Sequence, residues 1–198
     1  VGYVAHNHHF LWAAAAMQGR SQVAIAATQA AWPAACGPRP GDLGSGVLQH
    51  YAVLPLHALV RFGRWQELLT QTRPPDGNAA YLLAMWHYAR GTAWARTGRP
   101  REARAALQAL QSAAAEPELA TTKLKNINPA ADLVHIAVLT LQADLAALVG
   151  RHDQAVGWLQ QAVAAEDAMA HDEPHLWLAP TRQALGAALL DEGRAGEA

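Results

Sequence analysis

Apolar and polar residues follow one another along most of this chain with the period of a helix. Ala103, Leu107 and Leu110 stand at steps of four and three residues, and so do Ala155, Leu159 and Ala162. That spacing gathers apolar side chains on one stripe of an α-helix. The segments come in pairs. First helices are predicted over 3–18, 47–62, 78–97, 130–149 and 174–192. Second helices follow over 21–32, 65–71, 101–115 and 152–168, with the fifth cut short. Pro55 and Pro180 fall inside two of the first helices, which predicts a kink or a later start at each. Loops are read over 33–46, 72–77 and 116–129, where Pro, Gly and Asn gather, and 121–129 is the least regular stretch.

Between the two helices of each pair the sequence writes the same dipeptide: Gly19-Arg20, Gly63-Arg64, Gly98-Arg99, Gly150-Arg151 and Gly193-Arg194. The turn glycines are therefore 44, 35, 52 and 43 residues apart, a unit of about 34 residues with insertions, which is the signature of a helical solenoid. Glycine suits the end of a first helix because a sharp reversal there needs a left-handed residue. The arginine is expected to meet the last-turn carbonyls or a neighbouring acid. Five residues after four of the five glycines stands an alanine (Ala24, Ala103, Ala155 and Ala198), with Leu68 the exception. A small residue there lets paired helices approach closely. The pattern resembles tetratricopeptide repeats. It implies an all-α chain, a right-handed superhelical array of antiparallel helix pairs, with residues 1–198 forming one domain of a longer protein.

Composition agrees with helices. Of the 198 residues 52% are hydrophobic, much of that alanine, and seven tryptophans supply the packing volume that alanine lacks. A net charge of −1 offers no basic field, so no nucleic-acid partner is expected. No run of about 18 wholly apolar residues is found, so no membrane insertion is expected either. Cys36 is the single cysteine, so no internal disulfide can form.

The side chains that are unusual for plain packing lie on first helices or just before them, and solenoids of this kind bind partners along that inner face. His6 and His9 are three residues apart and share a helix face, one short of what an ion needs with His87 or with the carboxylates of Asp172 and Glu173. Trp86, His87 and Arg90 belong to a crowded aromatic stretch. Either His87 and Arg90 look into the groove, or the aromatic residues wedge neighbouring repeats with Arg90 in an ion pair. Asp172 and Glu173 precede Pro174 and suit the first turn of a helix beginning there, provided it does not begin at Pro180. Arg182 then pairs elsewhere. Arg61, Phe62, Gly63, Arg64 and Trp65 read as repeat-junction packing with an arginine stacked on a tryptophan. His135, alone among Ala, Val and Ile, reads as a core histidine.

No serine–histidine–acid set can be assembled around Ser21, Ser45 or Ser112. The glycine-rich stretch 41–46 lacks the lysine and preceding strand of a phosphate loop. An enzyme is therefore not the favoured reading.

Several strings in order along nearly the whole chain resemble a family of bacterial tetratricopeptide-repeat proteins of largely uncharacterised function. They are Tyr3 with His6, Asn7, His8, His9, Phe10 and Leu11; Met17, Gln18, Gly19 and Arg20; Val60 with Arg61 to Trp65; Met85 to Gly91; and Asp172, Glu173 and Pro174 with Pro180, Arg182, Leu185 and Gly186. The chain departs from that pattern at His57, His171 and His175. The resemblance implies a bacterial protein, cytoplasmic or periplasmic, longer at both ends, and marks His6, Asn7, His9, Arg61, His87, Asp172, Glu173 and Arg182. Together with the residue reading, it sets two expectations. In the first, Asn7, Arg61, Trp86, Arg90, Trp177 and Arg182 line a concave groove that holds a protein or peptide partner, the remainder of the same protein, or a small polar ligand. In the second, His6, His9, His87, Asp172 and Glu173 hold a divalent metal, which opens hydrolytic or oxidative chemistry.

Overall fold

The computed structural model describes residues 3–36, 43–74, 79–177 and 179–198. Among them are ten helices and one two-stranded antiparallel ladder. The first helices are α1 (Tyr3–Met17), α3 (Gly46–Arg61), α5 (Ala80–Arg96), α8 (Ala130–Leu148) and α10 (Thr181–Asp191). Their followers are α2 (Ser21–Cys36), α4 (Trp65–Thr70), α6 (Pro100–Ala114) and α9 (His152–Asp167). The short α7 (Glu118–Thr121), β1 (Lys123–Leu124) and β2 (Asn128–Pro129) fill the longest gap between turns. Parts of the loops expected over 33–46 and 72–77, the start of the glycine-rich stretch at 41–46 and the helix start expected at 78 lie outside the described residues.

One device ends all five first helices. The turn glycines adopt φ of +70°, +64°, +75°, +74° and +71°. The arginine that follows each donates its N–H to a carbonyl five residues back: Arg20 to Ala15, Arg64 to Leu59, Arg99 to Trp94, Arg151 to Ala146 and Arg194 to Leu189, at 2.8–2.9 Å. Each glycine N–H bonds three residues back. This is the Schellman arrangement, which satisfies carbonyls that a helix end otherwise leaves unpaired. In four cases the arginine carbonyl also accepts the first bond of the next helix, from Ala24, Leu68, Ala103 and Ala155, so almost no chain is spent on the reversal. Those four residues are buried, as the close approach of paired helices requires. The arginine side chains act locally: Arg64, Arg99 and Arg194 pair with Glu67, Glu102 and Glu197 three residues on.

The prolines correct the expected boundaries. Pro33 stands in the last turn of α2, which continues to Cys36, and Pro55 sits within an unbroken α3. Pro180, by contrast, is the residue before α10. The N–H and hydroxyl of Thr181 both donate to Glu166 Oε2, at 2.8 and 2.6 Å, which ties the start of α10 to α9.

A core of leucine, alanine and tyrosine runs through α3, α5 and α8 and takes in Leu176 and Trp177 from the segment before α10. A second cluster joins α1 and α2 to α3. On α5, Gly91 faces Leu141 and Ala106 so closely that a methyl group there would strike the Leu141 side chain. Although interrupted by Asp132, His135, Thr140, Gln142 and Asp144, α8 is long and apolar enough on average to cross a membrane by length and composition; here half of it is buried and it packs against α5, α6 and α9.

The irregular insertion has its own order. Lys125 and Asn126 both have positive φ (50° and 65°), and Ile127 N–H donates to Leu124 O at 3.1 Å, so this is a primed turn joining β1 to β2. Asn128 grips the distant Ala170 with both ends of its amide, each bond 2.9 Å. Gly46 backs onto the Lys123 carbonyl with no room for a side chain. The insertion thereby links the start of α3 to the segment 170–177.

Candidate functional site

On α1 the buried stripe runs through Ala5, His9, Trp12 and Ala16, so helical spacing alone carries His9 inward. On α3, His50 and His57 are seven residues apart and both are buried. Packing α1 against α3 sets the rings of His9 and His50 5.1 Å apart at 59°, with Tyr51 6.0 Å from His9. Gln49 accepts the N–H groups of Tyr81 and Leu82 at 3.0 and 3.3 Å, capping α5 and holding the Tyr81 ring parallel to His50 at 6.4 Å. Trp177 meets His57 edge-on at 5.3 Å and Tyr88 at 5.4 Å. On the remaining side, the primed turn presents Lys125, whose ammonium donates to Asp172 Oδ1 at 2.9 Å and to the Glu173 carbonyl at 2.6 Å.

His9 and His50 are 0% exposed and His57 is 4%. Both ring nitrogens of His9 and of His50, Nε2 of His57, the Tyr81 hydroxyl, the indole N–H of Trp12 and of Trp177, and Oδ2 of Asp172 are buried with no hydrogen-bond partner among the described residues. Interiors rarely tolerate such a concentration of unsatisfied polar atoms. Burial, with lesser repulsion from Lys125, His6 and His57, pulls His9 down to about 3. Burial likewise holds His57 at about 4 and His50 well below the ordinary histidine value. All three are neutral imidazoles at pH 7. Burial and the charge of Asp172 push the Tyr51 phenol up, and burial alone raises Tyr81.

Beside this cluster lies a cleft of about 400 Å³. Its walls come from four first helices: Val60 and Arg61 of α3, Tyr88, Thr92 and Arg96 of α5, Thr140 and Asp144 of α8, and Gln183 and Ala184 of α10. Trp65 and residues 179–181 complete the rim. Arg96 Nη2 meets Asp144 Oδ1 at 2.7 Å; burial raises the Asp144 carboxyl and the guanidinium opposes it. Arg61 has no ion-pair partner among the described residues. Tyr88 belongs to the cleft and touches Trp177, so cleft and imidazole cluster are neighbours.

The expected site residues separate accordingly. His9, Asp172 and Trp177 gather at the cluster, and Arg61 lines the cleft. His6 is half-buried against Phe10, ring centres 4.8 Å apart, while Asn7 is exposed. Trp86, His87 and Arg90 form the α4–α5 junction: Arg90 donates to the Leu69 carbonyl at 2.7 Å and lies 4.8 Å over Trp86. That is the wedge arrangement, with a carbonyl in place of the expected acid. Burial, with Arg73 and Arg90 nearby, lowers His87. Arg182 is exposed and forms a forked pair with Asp167 at 2.5 and 2.6 Å. Asp172 and Glu173 do not cap a helix, since α10 starts at Thr181; Asp172 serves Lys125 and its own neighbour's N–H, and Glu173 is exposed beside His171. His135 is exposed, not a core residue, because 133, 134, 136 and 137 take the buried side of α8. The arginine–tryptophan stacking expected around Trp65 is found instead at Arg90 and Arg99, over Trp86 and Trp94.

Among the described residues, no three or more His, Cys, Asp or Glu side chains stand close enough to hold one metal ion. The five-residue set of His6, His9, His87, Asp172 and Glu173 is thus not assembled. Five residues of the cluster were missed from sequence: Gln49, His50, Tyr51, Tyr81 and Lys125. The seven-residue spacing of His50 and His57 was a usable signal; nothing local marked Lys125.

Comparison of the chain with models of protein families, with curated proteins and with solved structures finds no match.

Proposed function

We propose that the chain is a helical-repeat binding module of the tetratricopeptide kind, whose cleft between first helices receives a carboxylate-bearing segment of a partner polypeptide. The reading rests on four helix–turn–helix junctions of one construction, with the same turn ending α10, and, above all, on the cleft itself. Four first helices contribute to its walls, its volume lies in the range of ordinary ligand sites, and Arg61, which has no ion-pair partner among the described residues, lines it. A guanidinium offers paired N–H donors that match a carboxylate. Trp65 and Tyr88 supply flat apolar walls for the side chains on either side. The neighbouring Arg96–Asp144 pair adds a second charged contact of mixed sign. Ser45, the serine nearest the cluster in sequence, is occupied as the cap of α3, accepting the Leu48 N–H at 3.3 Å.

The test is selection of binders from a random peptide library with free C-termini, followed by titration of the selected peptides. Arg61→Ala is expected to weaken binding about tenfold, equivalent to about 1.4 kcal/mol. Thr140→Trp, which fills the cleft, should abolish binding, and Asn7→Ala should leave it unchanged. Selected peptides indifferent to both cleft substitutions would sink the reading.

A further inference from the structure

We propose that His9 and His50 form a two-imidazole site for a d-block metal ion, separate from the cleft and independent of it. The two rings come from different helix pairs and are brought within 5.1 Å of each other, at a tilt of 59°, only by the packing of α1 on α3. They are fully buried, and none of their four nitrogens has a hydrogen-bond partner among the described residues. An imidazole hidden in this way forfeits the hydrogen bonds it made to water. Two such rings side by side, not bonded to each other, call for a guest that accepts their lone pairs.

The spacing suits an ion. Metal–nitrogen bonds of about 2.0–2.1 Å, with the ring centre about 1.1 Å beyond, put two imidazoles on a tetrahedral ion about 5 Å apart centre to centre. The observed separation is 5.1 Å, with the rings inclined at 59°. Both rings are neutral at pH 7, the form that coordinates. Imidazole donors favour zinc, copper or nickel over calcium or magnesium, which want oxygen. Lys125 is the nearby charge that opposes a cation, and Asp172 at 2.9 Å offsets it. No third His, Cys, Asp or Glu is within reach among the described residues, so the remaining positions fall to oxygen donors. Exposed histidines such as His135, His152 and His171 lack this enclosure.

The experiment is titration of the purified chain with Zn²⁺, Cu²⁺ and Ni²⁺ separately, after chelator treatment, with a Co²⁺ titration followed by its visible absorption. One equivalent of at least one ion is expected to bind. His50→Gln and His9→Gln should each weaken it about 100-fold, the upper end of what supporting residues alone contribute. His87→Gln, His135→Gln and Arg61→Ala should not change it. Because a substituted core could fail to fold, the unmodified chain supplies the second measurement: imidazole nitrogen resonances of two buried histidines should shift on adding Zn²⁺. Absence of any stoichiometric binding overturns the proposal. So does binding carried by exposed histidines, with the buried ring resonances unmoved. The peptide titration with Arg61→Ala reads the cleft alone, so either site can fail without the other.

Discussion

The two halves of this molecule use the same turn but treat histidine in opposite ways. In α1 and α3, three histidines are buried, and among the described residues both ring nitrogens of His9 and His50 and Nε2 of His57 have no hydrogen-bond partner. In and around α8 and α9, His135, His152 and His171 stand in solvent, while the buried positions are leucine, valine, isoleucine and alanine. Side-chain type does not account for that difference; place on the helix does. His9 lies on the stripe of Ala5 and Trp12, four residues after one and three before the other, whereas His135 faces away from the stripe of Leu133, Val134 and Ile136. In α8 and α9 the buried side chains are apolar throughout. The first half retains unpaired polar groups that packing alone would replace by apolar ones of the same shape, which is the usual mark of a site.

The contrast has a large consequence in acid. His9 and His57 have folded values of about 3 and about 4 against about 6.5 unfolded, so below pH 6.5 the unfolded chain takes up protons that the folded chain refuses. Stability is full above pH 6.5 and falls as the pH drops toward those folded values. Between pH 7 and 5 the two residues together should remove about 4 kcal/mol, at about 1.36 kcal/mol per pH unit each. Urea unfolding at a series of pH values checks this, and His57→Leu should flatten the profile. An acid profile unchanged by that substitution would place the burden on groups outside the cluster.

The apolar half should respond to lost volume instead. Leu141→Ala is expected to cost about 3 kcal/mol, within the range for buried leucines, at any pH between 5 and 8. A pH-dependent penalty at that position would erase the distinction between the halves. Gly98→Ala tests what the halves share. No neighbour obstructs a methyl group there, but φ is +75°, so the loss should be about 1 kcal/mol, read as a lowered melting temperature. A smaller effect still is expected at the periphery: Arg182→Ala breaks an exposed pair with Asp167 and should leave the melting temperature within experimental scatter.

Much of the fold was legible from spacing. The Gly-Arg dipeptides located all five reversals, and the helix boundaries predicted around them agree with the structure to within a few residues at most ends. The errors have identifiable causes. Proline was read as a boundary at 33, yet a proline in the last turn of α2 removes little from a helix already ending. The helix expected from 174 begins at Thr181, where Glu166 takes the Thr181 N–H and hydroxyl, while Asn128 holds Ala170 at the other end of the preceding segment. Of the candidate site, His9, Asp172 and Trp177 were legible as odd residues at helix faces or entrances. His50 was passed over among apolar neighbours, and Lys125 lay in a loop with no pattern to interpret.

What the sequence determined by itself was local: where each helix turns back, which stripe it buries, and that histidines ride on those stripes. Hydrogen bonding within four or five residues and the 3.6-residue period are enough for that. Only the tertiary structure decided which stripes meet. His9 finds His50 across a 41-residue separation, and Lys125 finds Asp172 across 47 residues, because α1 lies on α3 and the insertion bridges to the segment before α10. Such meetings depend on the summed packing of whole helices, and no short run of residues encodes them.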